Sequence, residues 1–324
     1  MNPLTGLYGS ATALRNKLFD RRVLTARRLT NPVISVGNLS VGGSGKTPFV
    51  IALGELLQAR NIPFDVLSRG YGRKSSGVQI VDRDGAAVDF GDEPLLIAHR
   101  LNVPVIVGES RYAAGQIAEQ KFHSQLHILD DGFQHRSLAR DFDIVLMTDH
   151  DFDDTLLPWG RLREPLSSLA RADAVVLPAG LEPDCQVLQQ KTIWRIHREL
   201  VLPASNLASG QASAPVVFCG IARPDQFFTQ VRAAGITPAA EIEFRDHHAY
   251  RRTDIDRLLS TRSKLEGSGF LTTEKDAINL GTFHADLKPL EIAVLKVTID
   301  HPLDHADDVL DAILARISEC KASS

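Results

Sequence analysis

The run Ser40-Val41-Gly42-Gly43-Ser44-Gly45-Lys46-Thr47 constrains the fold more than any other part of the chain. It follows a short apolar stretch at 33–37 that reads as a buried strand. It precedes Phe49, Val50, Leu53, Leu56 and Leu57, whose spacing predicts a helix over 46–60 with one apolar face. Glycines in a turn of this kind let backbone N–H groups point inward around phosphate oxygens, and the helix N-terminus behind them adds positive potential. Lys46 then reaches the β- and γ-phosphates, and the Thr47 hydroxyl can ligate Mg²⁺. The run matches the Walker A pattern except that Ser40 stands at the leading glycine position. A plain strand-to-helix connection is the alternative, and Gly-Lys-Thr in this setting argues against it. Pro48 falls in the first helical turn, where its missing N–H costs no helical bond.

Further apolar runs at 64–67, 78–81, 104–107, 126–129, 142–147 and 174–177 predict strands with helices between several of them. That alternation is the mark of a parallel sheet covered by helices on both faces, as in P-loop NTPases. A second series starts near Pro215, with a strand at 216–219, a helix at 224–234 and a strand at 269–271. The segment 202–214, rich in Ala, Ser and Gly, is the expected boundary. The expected fold is therefore α/β, a P-loop lobe at 29–214 followed by a smaller α/β lobe at 215–299. A C-terminal helix at 300–324 is placed to return to the first lobe.

The run 126–129 ends in Asp130-Asp131-Gly132, the form in which a Walker B strand delivers a carboxylate to Mg²⁺. Two adjacent aspartates can equally open a turn. Gln134 and His135 follow within reach of the same cleft. In Gly91-Asp92-Glu93-Pro94 the acids stand at the start of a predicted helix, where capping by Asp92 is a sufficient reason for it. Asp246-His247-His248 reads as a surface turn or as a metal-ligand fragment, and nothing local decides between them.

The N-terminal residues 1–28 carry Leu4, Leu7, Tyr8, Ala11, Leu14 and Leu18 at helical spacing beside Arg15, Lys17, Arg21, Arg22, Arg27 and Arg28. Such a basic amphipathic segment can lie in the headgroup region of an anionic membrane, or it can pack on the protein's own core. The net charge of -4 gives no global basic field, which removes nucleic acid from the expected partners, and no obligate protein partner is evident. Three distant cysteines share no metal or redox spacing, consistent with a reducing compartment. No apolar stretch approaches the roughly 20 residues a bilayer-crossing helix needs.

Taken together, the ordered blocks closely resemble the tetraacyldisaccharide 4'-kinase family of lipid A biosynthesis. They are residues 33–47, Ser68-Arg69-Gly70-Tyr71-Gly72-Arg73, Gly91-Asp92-Glu93-Pro94, residues 130–136 and Leu162-Arg163-Glu164-Pro165. In the second lobe the likeness rests on Phe244-Arg245-Asp246-His247 and Leu271-Thr272-Thr273-Glu274-Lys275-Asp276. The family shares the leading serine, and the resemblance implies two α/β lobes joined by a hinge. The resemblance implies an ATP- and Mg²⁺-dependent kinase of the 4'-hydroxyl of a tetraacyl disaccharide 1-phosphate, giving the bisphosphorylated lipid A precursor, lipid IVA. It implies peripheral attachment to the cytoplasmic face of the bacterial inner membrane through the N-terminal segment. By the same resemblance Asp92 and His247 form a catalytic dyad with Lys46, and the nucleotide cradle runs from Asn38 and Ser40 through Val41, Gly42, Gly43, Ser44, Gly45, Lys46, Thr47 and Pro48. Thr47, Asp130, Asp131 and Glu164 surround the metal, and Tyr71, Arg111, Gln134 and His135 meet the acceptor.

Overall fold

The computed structural model describes residues 3–202, 214–300 and 306–322. The chain opens with helix α1 (Pro3–Asp20), strand β1 (Val33–Asn38), helix α2 (Lys46–Ala59), strands β2 (Phe64–Ser68) and β3 (Gln79–Ile80), and helices α3 (Ala87–Phe90) and α4 (Asp92–Leu101). Next come β4 (Val105–Val107), α5 (Arg111–Lys121), β5 (Leu126–Asp130), β6 (Phe142–Leu146), β7 (Ala174–Pro178) and β8 (Thr192–Val201). The remainder is β9 (Val216–Cys219), α6 (Pro224–Ala233), β10 (Ala240–Glu243), α7 (Arg252–Lys264), β11 (Phe270–Thr273), α8 (Glu274–Leu280), β12 (Leu290–Asp300) and α9 (Ala306–Ala322).

The strands form one sheet in the order β10-β9-β11-β12-β8-β7-β6-β1-β5-β2-β4-β3. Strands β1, β2 and β5 to β7 are buried along nearly their whole length and pair in parallel, as mostly apolar runs do when helices cover both faces. One face carries α2, α4 and α9 over Ile34, Val36, Phe49, Leu53 and Trp194, and the other packs Leu67, Leu129, Ala114 and Ala118 beneath α5. The α/β class with helices on both faces is as expected. The predicted segment 78–81 shrinks to the two-residue edge strand β3, antiparallel to β4.

The smaller half has its own parallel set, β10-β9-β11-β12, with Phe218, Phe244, Ile255 and Phe270 packed on one face and Cys219, Phe227, Val231 and Leu271 on the other. An antiparallel pair joins the halves: β8 runs beside β12 from Val201↔Val294 to Arg195↔Asp300. Neither strand stood out in the sequence, because both alternate buried and exposed positions and carry Arg195, His197, Glu199 and Lys296 on the wet side. Most of the expected boundary 202–214 lies outside the described residues. Helix α9 sets Val309, Leu310, Ile313 and Ile317 into the core of α2 and Trp194.

Strands running in parallel share one carboxyl-terminal edge, the edge at which open α/β sheets bind ligands. In both halves the loops leaving that edge line a single cavity. They follow β1, β2 and β5 on one side and β9, β10 and β11 on the other.

Candidate active site

The cavity has a volume of about 800 Å³, and its floor is the glycine loop. Gly42 and Gly45 adopt left-handed φ values of 102° and 81°, which side-chain-bearing residues avoid. Gly45 thereby becomes the N-cap of α2 and sets Lys46 and Thr47 in its first turn. The Lys46 ammonium donates to Asn38 Oδ1 at 3.1 Å and stands 3.5 Å from Asp131 Oδ1. Of the expected cradle, Val41 through Pro48 line the cavity. Asn38 and Ser40 lie buried beneath it: Asn38 anchors Lys46, and Ser40 bridges to Leu162.

Two acids face the loop, and their surroundings separate them. Asp130 is 2% exposed and accepts one hydrogen bond on Oδ2 from Ser68 Oγ at 2.9 Å, while its Oδ1 has no partner. Burial first, then the negative charges of Glu93 and Asp131, push its carboxyl up to about 7. Burial also acts on Asp131, but Lys46 and Arg163 outweigh it and hold that carboxyl below the ordinary carboxylate range. Its contacts to Arg163 are 3.0 and 3.2 Å. An orphaned buried carboxylate oxygen beside a second carboxylate and a P-loop hydroxyl suits Mg²⁺, which takes one or two protein carboxylates and completes its shell with phosphates and water.

Glu164 does not join that set. Its side chain is fully buried, and its oxygens take Arg171 at 2.8 Å, Asn16 at 3.0 Å and Arg15 at 3.3 Å, away from the cavity lining. The carboxylate expected on the metal instead locks α1 to the body of the lobe. Arg111 and His135 also stand outside the lining. Arg111 is buried behind Asp130, with Nη1 donating to the carbonyls of Gly108 and Glu109, and burial together with neighbouring Arg69 lowers its proton affinity. His135 pairs with Ser137, and burial followed by the Arg111, Arg140 and Arg69 charges drives its imidazole down to about 4. Gln134 and Tyr71 do line the cavity. Gln134 donates to the Asn38 carbonyl at 2.8 Å, and the exposed Tyr71 ring lies 5.5 Å from the His247 ring.

Asp92 and His247, 155 residues apart in sequence, meet across the two halves. Gly91 caps α4 at φ 92°, so Asp92 is the first helical residue, and its carboxylate turns toward the cleft as well as accepting from the Glu93 N–H. His247 Nδ1 lies 2.8 and 3.0 Å from the two Asp92 oxygens, and Asn279 Nδ2 donates to the same carboxylate at 3.1 Å. His247 itself has φ 57°, a costly conformation for a residue with a Cβ, held by its N–H bonding to the Gly220 carbonyl at 3.2 Å. The Gly220 N–H is fixed in turn by buried Asp276. Burial opposes ionisation of Asp92, yet His247, Lys275 and Asn279 leave its carboxyl below the usual range. The Asp92 hydrogen bond raises His247 above its ordinary value in spite of burial.

Several cavity residues had no role in the sequence reading. Arg163 and Lys275 sit inside quoted blocks, so their neighbours were the available signal. Arg198 and Arg223 had none. Arg198, on β8, donates to the Ser44 carbonyl at 2.7 Å and ties the joining strand to the glycine loop.

Helix α1 faces the lobe with Tyr8, Thr12, Asn16 and Phe19. Tyr8 donates to the Arg163 carbonyl at 3.1 Å, and Arg136 reaches Asp20. Leu7, Ala11 and Leu14, at helical i, i+4, i+7 spacing, point outward. Of the expected stripe these three are exposed, while Tyr8 faces the lobe and Leu18 is half-buried, so the helix packs on the protein and still presents an apolar outer edge. Among the described residues no helix is long and apolar enough to cross a membrane.

The chain matches the family described as tetraacyldisaccharide-1-P 4'-kinase over residues 1–318. It is 49% identical to the tetraacyldisaccharide 4'-kinase of Koribacter versatilis over 321 residues, covering 97% of this chain and 98% of that one. It is 39% identical to the enzyme of the same name from Aquifex aeolicus over 292 residues, 86% of this chain and 88% of the other. A crystal structure of LpxK from Aquifex aeolicus in complex with ATP superposes with a TM-score of 0.80 and 35% identity, covering 97% of each chain.

Proposed function

The chain belongs to the tetraacyldisaccharide-1-P 4'-kinase family, and from that membership we propose how its own residues carry out the reaction. The protein is an ATP-dependent kinase that phosphorylates the 4'-hydroxyl of a tetraacyl disaccharide 1-phosphate. The single observation that carries the residue-level reading is the convergence of the glycine loop, Asp130–Asp131 and His247 on one cavity, with buried Asp92 hydrogen-bonded to His247 from behind the lining.

In this reading residues 29–214 hold ATP and residues 215–299 close over it, with 300–324 returning to the first lobe. The loop N–H groups and Lys46 bind the phosphates, and Thr47, Asp130 and Asp131 would hold Mg²⁺, which would supply charge neutralisation at the phosphates. Arg163 keeps Asp131 ionised. Phosphoryl transfer needs little covalent work from a protein, so positioning and charge stabilisation dominate. His247 takes the proton of the 4'-hydroxyl on Nε2 while Asp92 orients the ring and stabilises the imidazolium that forms. Tyr71, over His247, and Gln134 border the acceptor.

The acceptor is a lipid, and we place its source at an anionic membrane surface on the cytoplasmic side. The outward Leu7, Ala11 and Leu14 and the exposed Arg21, Arg22, Arg27 and Arg28 support this. Incubating the purified protein with ATP, Mg²⁺ and a tetraacyl disaccharide 1-phosphate in detergent tests the whole reading. The bisphosphorylated product is expected, and ATP turnover without it overturns the assignment.

A further inference from the structure

Lys275, in the first turn of α8, points its ammonium into the dyad. Its Nζ lies 3.1 Å from Asp246 Oδ1, 3.3 Å from His247 Nε2, 3.7 Å from Asp92 Oδ2 and 3.8 Å from Glu93 Oε1, and its side chain is 16% exposed. An ammonium has three donors and no lone pair. His247 Nε2 must therefore be the acceptor in that contact, which leaves the ring proton on Nδ1, facing the Asp92 carboxylate. The tautomer is set by the cation on its far side as much as by the carboxylate on its near side.

We propose that Lys275 is a positioning residue: its ammonium donates to His247 Nε2, fixes the imidazole as the Nδ1–H tautomer, and yields that nitrogen to the acceptor hydroxyl as it binds. The inference rests on the reading of Asp92 and His247 as the dyad. Once the hydroxyl has replaced Lys275, its proton passes to Nε2. The oxygen's electron pair forms the bond to the γ-phosphorus, and the bond from that phosphorus to the bridging oxygen breaks with its pair going to ADP. The displaced ammonium keeps Asp246, Glu93 and Asp92 as partners, so it loses one of four contacts rather than its site.

The same geometry sets the proton affinity of the base. An imidazolium would aim its Nε2–H at a positive charge 3.3 Å away, so Lys275 opposes premature protonation. The groups facing His247 are Asp92 from α4, Lys275 from α8, Asp246 in its own loop, and the uncharged Tyr71 ring from the loop after β2. Asp92 and Asp246 favour the imidazolium, and Lys275 is the one cation in this set that resists it.

The test is ¹⁵N NMR of the full-length protein labelled at histidine, with His247 assigned by its absence from the His247→Ala spectrum. In the wild type an Nδ1–H, Nε2-bare pattern is expected, and the opposite tautomer overturns the proposal without any further variant. Lys275→Met should raise the His247 midpoint by about one pH unit, move the acid limb of kcat/KM up equally, and be largely reversed by Lys275→Arg. A loss of rate uniform across pH with an unmoved midpoint would instead make Lys275 a phosphate or acceptor ligand. Should His247→Ala keep the wild-type rate while Lys275→Met still moves the midpoint, the dyad reading fails and the lysine–imidazole coupling stands.

Discussion

Lys46 is held between Asn38 and Asp131, so its ammonium is already oriented over the glycine loop. Removing it takes away a preorganised charge at the transferring phosphate, and Lys46→Ala should lower kcat by about 10³-fold or more with little change in fold. Steady-state kinetics beside a circular dichroism spectrum checks this. The dyad makes a pH prediction whose sign follows from its partners. Asp92 raises His247 above its usual 6.5, so activity that needs a bare imidazole falls as pH drops through a midpoint above that value. Asp92→Asn removes the principal cause, so it should shift the acid limb to lower pH while cutting the plateau rate by about 10²-fold or more. A kcat/KM profile from pH 5 to 9 reads both effects. The stability contribution runs oppositely, being complete below 6.5 and lost as pH rises through the folded-state value. At this scale the sequence was legible wherever function is local. The loop 40–47 and the aspartates after β5 announce themselves because backbone turn, helix start and ligand contact fall within a few residues. The pairing of Asp92 with His247 joins positions 155 residues apart, and only the resemblance suggested it. Glu164 shows the reverse, since its burial against Arg171, Asn16 and Arg15, the last two from a helix 148 and 149 positions earlier, has no local sequence signal.

The contact that brings the dyad together is a seam between α4 and α8. Besides Asp92 to His247 and Asn279, it contains Arg100, whose Nη1 forks onto Glu274 at 2.9 and 3.0 Å while Nη2 reaches Glu55 on α2 at 3.2 Å. These pairs are partly exposed, so about 1 kcal/mol is the scale to expect from losing them. Arg100→Met should therefore lower kcat/KM by about fivefold. It should leave the position of the acid limb unchanged, because Arg100 touches neither member of the dyad. A drop of the same size produced in the wild type by 0.5 M salt, and absent in the variant, would identify the ion pair as the cause. The elements that form the seam differ in how openly the sequence declared them. Strands such as β1 and β5 are buried on both faces and read as plain apolar runs. The joining strands β8 and β12 carry charge on one face, and their alternation is blurred by Arg198 turning inward to the glycine loop. A charged residue that serves the site breaks the pattern by which its strand would be recognised.

At the scale of the molecule, α1 presents Leu7, Ala11 and Leu14 outward while its inner face, at Gly9, meets the loop that holds Leu156. Leu156 Cδ1 packs 3.0 Å from the Cβ position of Gly9, and the same loop carries Trp159 at 65% exposure, next to α1 with Leu7 at 69% and Leu14 at 59%. In the membrane-surface docking proposed above, the exposed leucines would sit at the acyl boundary and the arginines at the phosphates. The inner face of α1 is fixed independently by Asn16 and Arg15 on Glu164, so the stripe can be altered without undocking the helix. Leu7→Asp and Leu14→Asp should each weaken binding to phosphatidylglycerol vesicles by about tenfold or more, the burial of a leucine being about 1.5 kcal/mol or more. Nucleotide affinity should not change. Raising salt from 0.1 to 1 M should weaken the wild type further, because the arginines act within a Debye length of the surface. Vesicle co-sedimentation measures all three, and binding that survives both leucine substitutions but vanishes in salt would reduce α1 to an electrostatic tether. On the proposal that α1 docks at the surface holding the acceptor's acyl chains, the leucine variants should lose activity on vesicle-borne acceptor while keeping it on detergent-dispersed acceptor. That difference separates delivery of the lipid from the phosphoryl transfer at Lys46 and His247.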